Sequence, residues 1–449
     1  MRRAVIAALW LSATAGSSIY LATSLRGGDR TLYLPGDTTS GHHQIEDKCE
    51  ICHEPGSGLR EEACTGCHAE ELAAADDSHP PQKFLDPRNA ALLHRIDARR
   101  CVTCHVEHRP GLTGEMGVTQ PADFCRTCHQ DIAEERPSHR GLPFSGCQAA
   151  GCHNYHDNRA LRETFLSERL SEPTLRPRAT VPQVDREVRY RGLRKAPLGR
   201  GQEDAPPGAS SEESIAAWAA SSHARAGVNC TDCHGGSPVA AAGDAAARPW
   251  TDRPGQEGCR GCHGDEVRDF GRGKHGMREA AGLDPMSPDR ARLAMNPAAD
   301  HRELSCTSCH GAHDFDTRRA AVEACLGCHA DRHSLAYIGS PHHERWQLEQ
   351  SGRFWAGSGV SCATCHMPRV RRVDTDRPGV AVLHNQNDAL RPVETMVRPV
   401  CLPCHGVELS LAALADRALV DRNFRGKPTA RAEAIEMLRR LEAAEEEAR

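Results

Sequence analysis

The chain has 449 residues and a formal net charge of −5. This length favours two or three domains, and the mild charge argues against a nucleic-acid partner. Aromatic residues make up only 4% of the chain. Because Phe, Tyr and Trp bury the most apolar area per side chain, we expect a group other than protein side chains to fill part of the interior.

Residues 1–30 predict a signal peptide or an amino-terminal membrane anchor. Arg2 and Arg3 precede residues 4–25, which carry no charge. Such a run is about long enough to span a bilayer, and the preceding positive charges keep the amino terminus cytoplasmic. A cleavable signal would end near residues 22–24. We favour the anchor because the small-residue cleavage site is weak. Either segment exports the body of the chain, so we expect a periplasmic protein, held at the inner membrane if the segment is retained.

The 22 cysteines form eleven close pairs, and a histidine follows each second cysteine. Ten pairs have the spacing Cys-x-x-Cys-His. The paired cysteines are Cys49 and Cys52, Cys64 and Cys67, Cys101 and Cys104, Cys125 and Cys128, Cys147 and Cys152, Cys230 and Cys233, Cys259 and Cys262, Cys306 and Cys309, Cys325 and Cys328, Cys362 and Cys365, and Cys401 and Cys404. The histidines that follow them are His53, His68, His105, His129, His153, His234, His263, His310, His329, His366 and His405.

This pattern is the attachment signal for c-type haem. The two thiols add to the two vinyl groups of the porphyrin, and the histidine that follows binds the iron from the proximal side. Half a zinc site would explain a single Cys-x-x-Cys, and a disulfide framework would explain paired cysteines, but neither requires a histidine after every pair. We therefore expect eleven covalently bound haem c groups. Haem attachment also removes the thiols that an oxidising compartment would turn into disulfides.

One pair departs from the usual spacing. Four residues, 148–151, separate Cys147 from Cys152. They are mostly small, and Gly151 can adopt backbone angles that other residues avoid, so the loop can bulge while the sulfurs keep their separation. We interpret this pair as an attachment site with a longer loop. The alternative is a disulfide or an unmodified pair beside an unrelated histidine.

The motifs divide the chain into four segments. The amino-terminal segment is followed by a five-haem region at 42–165, a Pro- and Arg-rich linker at 166–213, and a six-haem region with a carboxy-terminal helix at 214–449. The linker could cover haem propionates as a strap, or it could be solvated and flexible. CVTCHVEH at 101–108 and CTSCHGAH at 306–313 look like copies, which indicates internal repetition.

The predicted fold is mainly α with extensive loops, as short helices wrapped around closely packed c-type haems, with very little β structure. Helices are predicted at 214–226, 320–329 and 429–449. Strand signals are sparse.

Fifteen histidines remain after the eleven proximal ones, and each haem iron needs a sixth ligand. A single histidine is usually a surface or packing residue, but here eleven irons compete for fifteen imidazoles. The candidates for the distal position are His42, His43, His79, His94, His108, His139, His156, His223, His275, His301, His313, His333, His342, His343 and His384.

Three of these candidates follow a proximal histidine by three residues. On a helix, residues three apart share a face. Since each proximal histidine is fixed beneath its own ring, the second histidine cannot reach the far side of the same iron. We therefore expect His108, His156 and His313 to bind neighbouring haems, which would pack the porphyrins closely. The alternative is that all three are exposed.

The motifs resemble those of multihaem cytochromes c. Residues 42–165 are similar to class III, cytochrome c3-like proteins, a family that also tolerates four residues between the attachment cysteines. The second half, with GVSCATCHMPR at 359–369, resembles the superfamily of pentahaem nitrite reductase, hydroxylamine oxidoreductase and octahaem tetrathionate reductase. Two features depart from those enzymes. The chain has no Cys-x-x-Cys-Lys motif, and its last tyrosine, Tyr337, precedes the final two haem motifs.

Two functions remain open from the sequence. The first is an electron carrier that exchanges electrons with a membrane quinol dehydrogenase or further cytochromes. The second is an oxidoreductase for a small nitrogen or sulfur compound, with one open iron position. Segment 274–301, which holds Lys274, His275, Arg278 and Asp300, would line such a pocket, or it is a packing loop. Its methionines, Met277, Met286 and Met295, are alternative axial ligands or gap-filling side chains.

Overall fold

The computed structural model describes residues 2–26, 33–75, 79, 81–149, 152–157, 161, 163–235, 250–300, 302–373 and 377–447. In these residues helices and loops dominate, as the sequence predicts. The polypeptide has an accessible surface of 27041 Å². A compact folded chain of its mass, 48.9 kDa, is expected to expose only about 17,000 Å². The polypeptide alone therefore does not close around one large core.

The α-helices are short, and most span one to three turns. In the first half they are α1 Arg2–Arg26, α2 Glu61–Ala74, α3 Ala90–Arg95, α4 Cys101–Cys104, α5 Ile132–Glu135 and α6 Glu163–Ser167. In the rest of the described chain they are α7 Arg186–Arg189, α8 Glu212–Ala220, α9 Ser222–Arg225, α10 Cys230–His234, α11 Gln256–Arg272, α12 Met277–Ala280, α13 Cys306–His310, α14 Thr317–Ala321, α15 Glu323–Leu326, α16 Arg332–Ala336, α17 Pro341–Gln350, α18 Cys362–His366, α19 Val407–Ala415, α20 Arg417–Asp421 and α21 Glu433–Glu447.

Strands are confined to two antiparallel hairpins in the described residues. The first pairs β1, His53–Glu54, with β2, Gly58–Leu59. The second pairs β3, Arg369–Arg372, with β4, Gly379–Val382, in a register that sets Arg369 opposite Val382. Short 3₁₀ turns and one π-helical segment, Val397–Cys401, connect other elements. The mainly α fold with little β structure is confirmed.

The three predicted helices form with different boundaries. The helix predicted at 214–226 is divided into α8 and α9 at Ser221, whose hydroxyl accepts hydrogen bonds from the backbone N–H groups of His223 and Ala224. This serine therefore caps a new helix instead of continuing the first. The helix predicted at 320–329 is divided into α14 and α15 at Val322, and the carboxy-terminal helix is α21.

Several motifs of the second half fold as a single capped helical turn. The residue before the first cysteine caps α10, α13 and α18, where Asn229, Ser305 and Ser361 each form a capping box with the residue three positions later. A side chain that satisfies free N–H groups at a helix start favours a turn at that position. This local sequence preference places the two cysteines and the histidine on adjacent turns.

Segment 166–213 lies along the six-motif half as an extended strap. Its backbone N–H groups at Arg176 and Val181 donate to the carbonyls of Cys404 and Gly357, at 2.9 and 2.7 Å. Further along, the N–H of Lys195 donates to the carbonyl of Ala226 at 2.9 Å. The segment is therefore tied by its backbone close to attachment cysteines.

Arg189 on α7 anchors the middle of the strap. Its side chain is only 1% exposed and forms ion pairs with Asp265 at 3.1 Å and Glu266 at 3.0 Å on α11. It also donates to the backbone carbonyl of Arg377 at 3.0 Å. A buried guanidinium with these partners fixes the strap at one point.

The two halves also meet through polar contacts near their beginnings. Arg278, which is 4% exposed, donates to the carbonyl of Gln44 at 2.7 Å. Lys274 donates to the carbonyl of Ser40, and Arg272 pairs with Glu70 at 2.6 Å. Segment 272–292 therefore packs against the first five-motif region.

The larger apolar cluster lies near the carboxy terminus. It includes Leu166, Val397, Leu411 and Leu438, none more than 5% exposed. Three motif cysteines pack against it: Cys152, Cys365 and Cys401. This cluster therefore joins the last Cys–Cys–His motif of the first half to two such motifs of the second half.

Candidate haem centres

We number the eleven Cys–Cys–His groups in chain order as sites 1 to 11, from His53 at site 1 to His405 at site 11. The structure places one further histidine opposite the motif histidine of every site. The pairs, in site order, are His53 with His108, His68 with His42, His105 with His156, His129 with His79, His153 with His139, His234 with His313, His263 with His223, His310 with His384, His329 with His275, His366 with His333, and His405 with His342.

The separation of the rings is nearly constant across these pairs. Ring centroids lie 6.0 to 6.3 Å apart, while the angles between ring planes range from 16° to 86°. Because a metal–imidazole bond is about 2.0 Å long, two imidazoles that share one metal ion from opposite sides place their centroids roughly 6 Å apart. A fixed distance with free ring angles fits axial ligation better than ring stacking, which prefers particular orientations.

The order of the pairs repeats between the halves. The partner of site 1 follows site 3, and the partner of site 6 follows site 8, at His108 and His313. Sites 2 and 7 take partners that precede the first motif of their half, at His42 and His223. The partners also lie at equivalent points in the chain for sites 3 and 8, for sites 4 and 9, and for sites 5 and 10. Site 11 is an addition to this five-site repeat.

The backbone at two equivalent partners differs from the helix assumed for them. Helices α4 and α13 end at Cys104 and His310, and both His108 and His313 have positive φ angles, 61° and 70°. The premise that histidines three apart share a helical face is therefore wrong at these positions. The left-handed backbone turns each imidazole away from its own motif and towards another site. That these imidazoles bind the iron of a neighbouring haem stays a prediction.

A close backbone approach holds one of these turns. The carbonyl oxygen of Gly36 accepts a hydrogen bond from the Nδ1–H of His108 at 2.8 Å. A Cβ atom at Gly36 would lie 2.7 Å from the His108 carbonyl oxygen. Any other residue would therefore push the turn apart, so glycine is required where the chain crosses His108.

Among the described candidates, three take no part in these pairs: His43, His94 and His343. His43 donates from Nδ1 to the Ser40 carbonyl, and its Nε2 contacts the Gln44 amide. His343 accepts a hydrogen bond from the Gly339 N–H, and His94 is exposed on α3. His301 lies outside the described residues.

Hydrogen bonds at Nδ1 orient many of the paired imidazoles. Seven of them donate to a backbone carbonyl: His79, His105, His108, His234, His333, His384 and His405. When Nδ1 is occupied in this way, Nε2 is the nitrogen left for a metal, and the ring orientation is fixed. These partners could not be predicted from the sequence because most of them come from distant loops.

Two paired imidazoles instead donate to carboxylates that the sequence analysis missed. His42 Nδ1 donates to Glu107 at 2.6 Å, and His68 Nδ1 donates to Glu71 at 2.9 Å. Burial alone would raise the pKa of Glu107, but bonds from His42 and Thr39 hold that pKa at about 2. The sequence signal for Glu107 is a difference between the two repeated motifs. The first copy, HVEH, has Glu107 at the position where the second copy, HGAH, has Ala312.

Burial keeps several of these imidazoles neutral. Burial, with a smaller contribution from neighbouring imidazoles, lowers the pKa of His223, His275, His310, His342 and His366 to about 4. Neutral imidazole is the form that binds a metal, because the cation has no free lone pair. These sites are therefore suited to ligation at neutral pH.

Thiols of successive sites lie side by side. Cys64 lies beside Cys101, Cys259 beside Cys306, and Cys325 beside Cys362, close enough for each thiol to affect the pKa of its neighbour. These approaches bring site 2 next to site 3, site 7 next to site 8, and site 9 next to site 10.

The site with the longer loop keeps the same arrangement as the others. The centroid of His153 lies 6.2 Å from that of His139, and the Cys152 carbonyl accepts a hydrogen bond from Leu161 at 2.8 Å. Cys152 packs against the larger apolar cluster. The predicted bulge at Gly151 lies outside the described residues.

Segment 274–301 packs against the first half and contributes one paired imidazole. Lys274 and Arg278 contact the backbone of that half, while His275 lies 6.1 Å from His329. Met286 is 7% exposed and belongs to the buried apolar residues. Because His275 already faces His329, the geometry does not require a methionine as axial ligand.

Comparison with known proteins finds a family match in each half of the chain. Residues 41–130 and 222–330 each match the Cytochrome c3 family model. No match to a curated protein or to a solved structure was found. The matches do not support the resemblance of the second half to nitrite reductase and hydroxylamine oxidoreductase, since the region matched in that half is similar to Cytochrome c3. The two matches support a multihaem cytochrome c that takes part in electron transfer.

Proposed function

We propose that the protein is an exported electron carrier with eleven haem c groups, each bound between two histidines. The observation that carries this proposal is the one-to-one pairing of the eleven motif histidines with eleven others at 6.0 to 6.3 Å. Each pair of motif cysteines would hold its haem covalently. Bound haem c would supply reversible one-electron exchange at its iron.

The polypeptide would hold these groups close together and keep them in fixed orientations. The contacts between thiols of successive sites support two series, sites 1 to 5 and sites 6 to 11. The polar contact at Arg272 and Glu70 and the apolar cluster beside Cys152 bring the two series together. Close packing favours electron transfer because tunnelling falls steeply with distance.

The domain assignment follows the same division. Residues 42–165 would form a five-haem unit and residues 214–449 a six-haem unit with α21 at its end. Segment 166–213, a linker by sequence, would act as a strap on the second unit. All eleven histidine pairs lie within one unit or the other, which supports this boundary.

The amino-terminal segment would export the chain and hold it at the inner membrane. Helix α1 is long and apolar enough to cross a membrane over Arg3–Ser24, and none of that window is buried. Gly36, ten residues after α1, contacts the site 1 partner His108. A chain of ten residues spans at most about 35 Å, so site 1 would stay near the membrane. A membrane quinol dehydrogenase or another cytochrome would be the redox partner.

The reading as an oxidoreductase for a small nitrogen or sulfur compound has less support. An iron with two imidazole ligands offers no vacant position to nitrite, hydroxylamine or tetrathionate. Such chemistry would require the loss of a ligand that the fold holds by hydrogen bonds, such as His405 to the Thr174 carbonyl at 3.2 Å.

Three measurements on the purified full chain test the proposal. Intact mass should show eleven haems, and the oxidised protein should show low-spin iron alone. The reduced protein should not be rapidly reoxidised by nitrite, hydroxylamine or tetrathionate. A high-spin component together with catalytic reoxidation by one of these compounds would replace the carrier with an enzyme, and a lower haem count would contradict the eleven-site assignment.

A further inference from the structure

The two imidazoles at site 2 have an unusual environment. Both donate their Nδ1–H to a carboxylate, His42 to Glu107 and His68 to Glu71. Seven imidazoles at other sites donate to backbone carbonyls instead. Site 2 therefore has two negatively charged acceptors behind its axial ligands.

The Glu107 carboxylate is held in place by more than the histidine. It accepts hydrogen bonds from the backbone N–H of Thr39 at 2.6 Å and from the Thr39 hydroxyl at 2.8 Å. These bonds join the loop that carries His42 to the loop that carries Glu107. The carboxylate is thus fixed against the His42 ring.

Glu71 reaches His68 along a single helix. The two residues are three apart on α2, the spacing at which side chains on a helix meet. The Glu71 side chain is 45% exposed and that of Glu107 is 28% exposed. Because solvent screens an exposed charge, Glu107 should have the larger influence.

Site 7 occupies the equivalent position in the second copy of the repeat and lacks these contacts. Ala312 stands where Glu107 stands in the first copy, and His223 packs against Phe315 at 4.3 Å between ring centroids. Glu266, equivalent to Glu71, lies 4.0 Å from His263.

At site 7 other residues engage that carboxylate. Glu266 pairs with Arg189 at 3.0 Å and accepts a hydrogen bond from the Tyr190 hydroxyl at 3.3 Å. Its negative charge is therefore balanced by a cation of the strap. Sites 2 and 7 have the same ligand order, but only site 2 keeps both carboxylates on its imidazoles.

A carboxylate that accepts the outer N–H of an axial histidine makes the ligand more basic. A more basic ligand and a nearby negative charge both stabilise the ferric iron over the ferrous iron, which lowers the reduction potential. At site 2 both effects lower the reduction potential.

We propose that Glu107 and Glu71 are positioning residues that set the reduction potential of site 2 below that of its counterpart, site 7. This inference rests on the proposed function, since it requires haem between His42 and His68. Site 2 also borders the contact between the halves, where Glu70 on α2 pairs with Arg272. Electrons would therefore leave site 2 readily at the junction of the two series.

Redox titration of the full chain with its haems tests this inference through the variant Glu107→Gln. The amide keeps the size of the side chain but removes the charge. One of the eleven components should then become easier to reduce. At a fixed applied potential its ratio of reduced to oxidised haem should rise about tenfold, which corresponds to about 59 mV for one electron.

Glu71→Gln should shift the same component in the same direction by less, and the double variant should shift it furthest. Glu62→Gln is the matched control, because it removes an exposed charge of the same helix six residues before His68. Low-spin electron paramagnetic resonance should show changed g values for one component in Glu107→Gln and none in the control.

Two outcomes separate this inference from the proposed function. If Glu107→Gln retains eleven low-spin haems and its titration superimposes on those of the parent protein and Glu62→Gln, the tuning role is wrong while the carrier remains. If the parent protein itself lacks haem between His42 and His68, the proposed function fails at this site first. Should Glu107→Gln fail to fold, Glu71→Gln on the exposed helix α2 gives the same test.

Discussion

The rings of His234 and His313 face each other at 6.0 Å, with planes 16° apart, although His234 ends the motif of site 6 and His313 follows the motif of site 8. His313 reaches this position through a left-handed backbone with φ of 70°. The second ligand of one site is thus supplied by the loop that follows another, and each such loop ties two sites together.

Substitution of this partner should open one iron. In His313→Ala we expect one of the eleven irons to become high-spin and to bind small ligands such as cyanide, because no other paired imidazole faces His234. Electron paramagnetic resonance and ligand titration measure the fraction of iron that is high-spin and binds the added ligand. His94→Ala, at an exposed histidine outside the pairs, should leave every iron low-spin. A low-spin spectrum unchanged in His313→Ala would contradict the assignment.

The longer loop should carry a real attachment site. Cys147→Ser removes one of the two thioether bonds at site 5, so we expect that attachment to be weakened or lost, seen by intact mass as a fraction of chains with ten haems instead of eleven. Gln148→Ala, inside the same loop, should keep eleven. Ten haems in the parent protein would show that Cys147 and Cys152 are not an attachment pair.

The strap should depend on its buried arginine. Arg189→Met leaves Asp265 and Glu266 without their shared cation, and breaking a buried ion pair in this way costs about 3 kcal/mol or more. We expect the urea concentration at the midpoint of unfolding to fall, as monitored by far-ultraviolet circular dichroism. Arg191→Met, at an exposed position of the same strap, should change the midpoint little. Equal midpoints for the two variants would argue against an anchoring role for Arg189.

Folding should require haem attachment. The polypeptide exposes 27041 Å², well above the surface of a compact chain of its size, and its apolar residues form small separate clusters. We expect chain produced without haem attachment to be cleaved rapidly by protease across 42–410, whereas the protein carrying haem resists cleavage. Comparable resistance of the two forms would show that side chains alone complete the fold.

The sequence predicts the attachment groups because their chemistry is local. Two thiols and a histidine within a few residues define each site, and capping residues such as Ser361 favour the required turn. The partners of these sites could not be predicted individually, because His384 reaches His310 only through the folded path of the chain. The two halves place their partner histidines at equivalent points in the chain. A partner assigned in one half would therefore have predicted its counterpart in the other half.

The strap, segment 166–213, is an element whose packing the sequence does not predict. Composition alone could not distinguish a solvated linker from a packed one, because arginine and proline suit both. The structure distinguishes them through single contacts, such as the Val181 N–H on the Gly357 carbonyl. The break at Ser221 has a similar cause, since serine is compatible with a helix interior but caps a helix better.

The crossing of ligands between sites limits how such a protein could have arisen. His156, the partner of site 3, lies beyond site 5, and His384, the partner of site 8, lies beyond site 10. An ancestral gene segment that encoded only four motifs would have left one iron with a single imidazole when it was copied. Motifs 1 to 5 together hold all five of their partners, so a tandem duplication of a five-motif segment, followed by the gain of site 11, would account for the present chain.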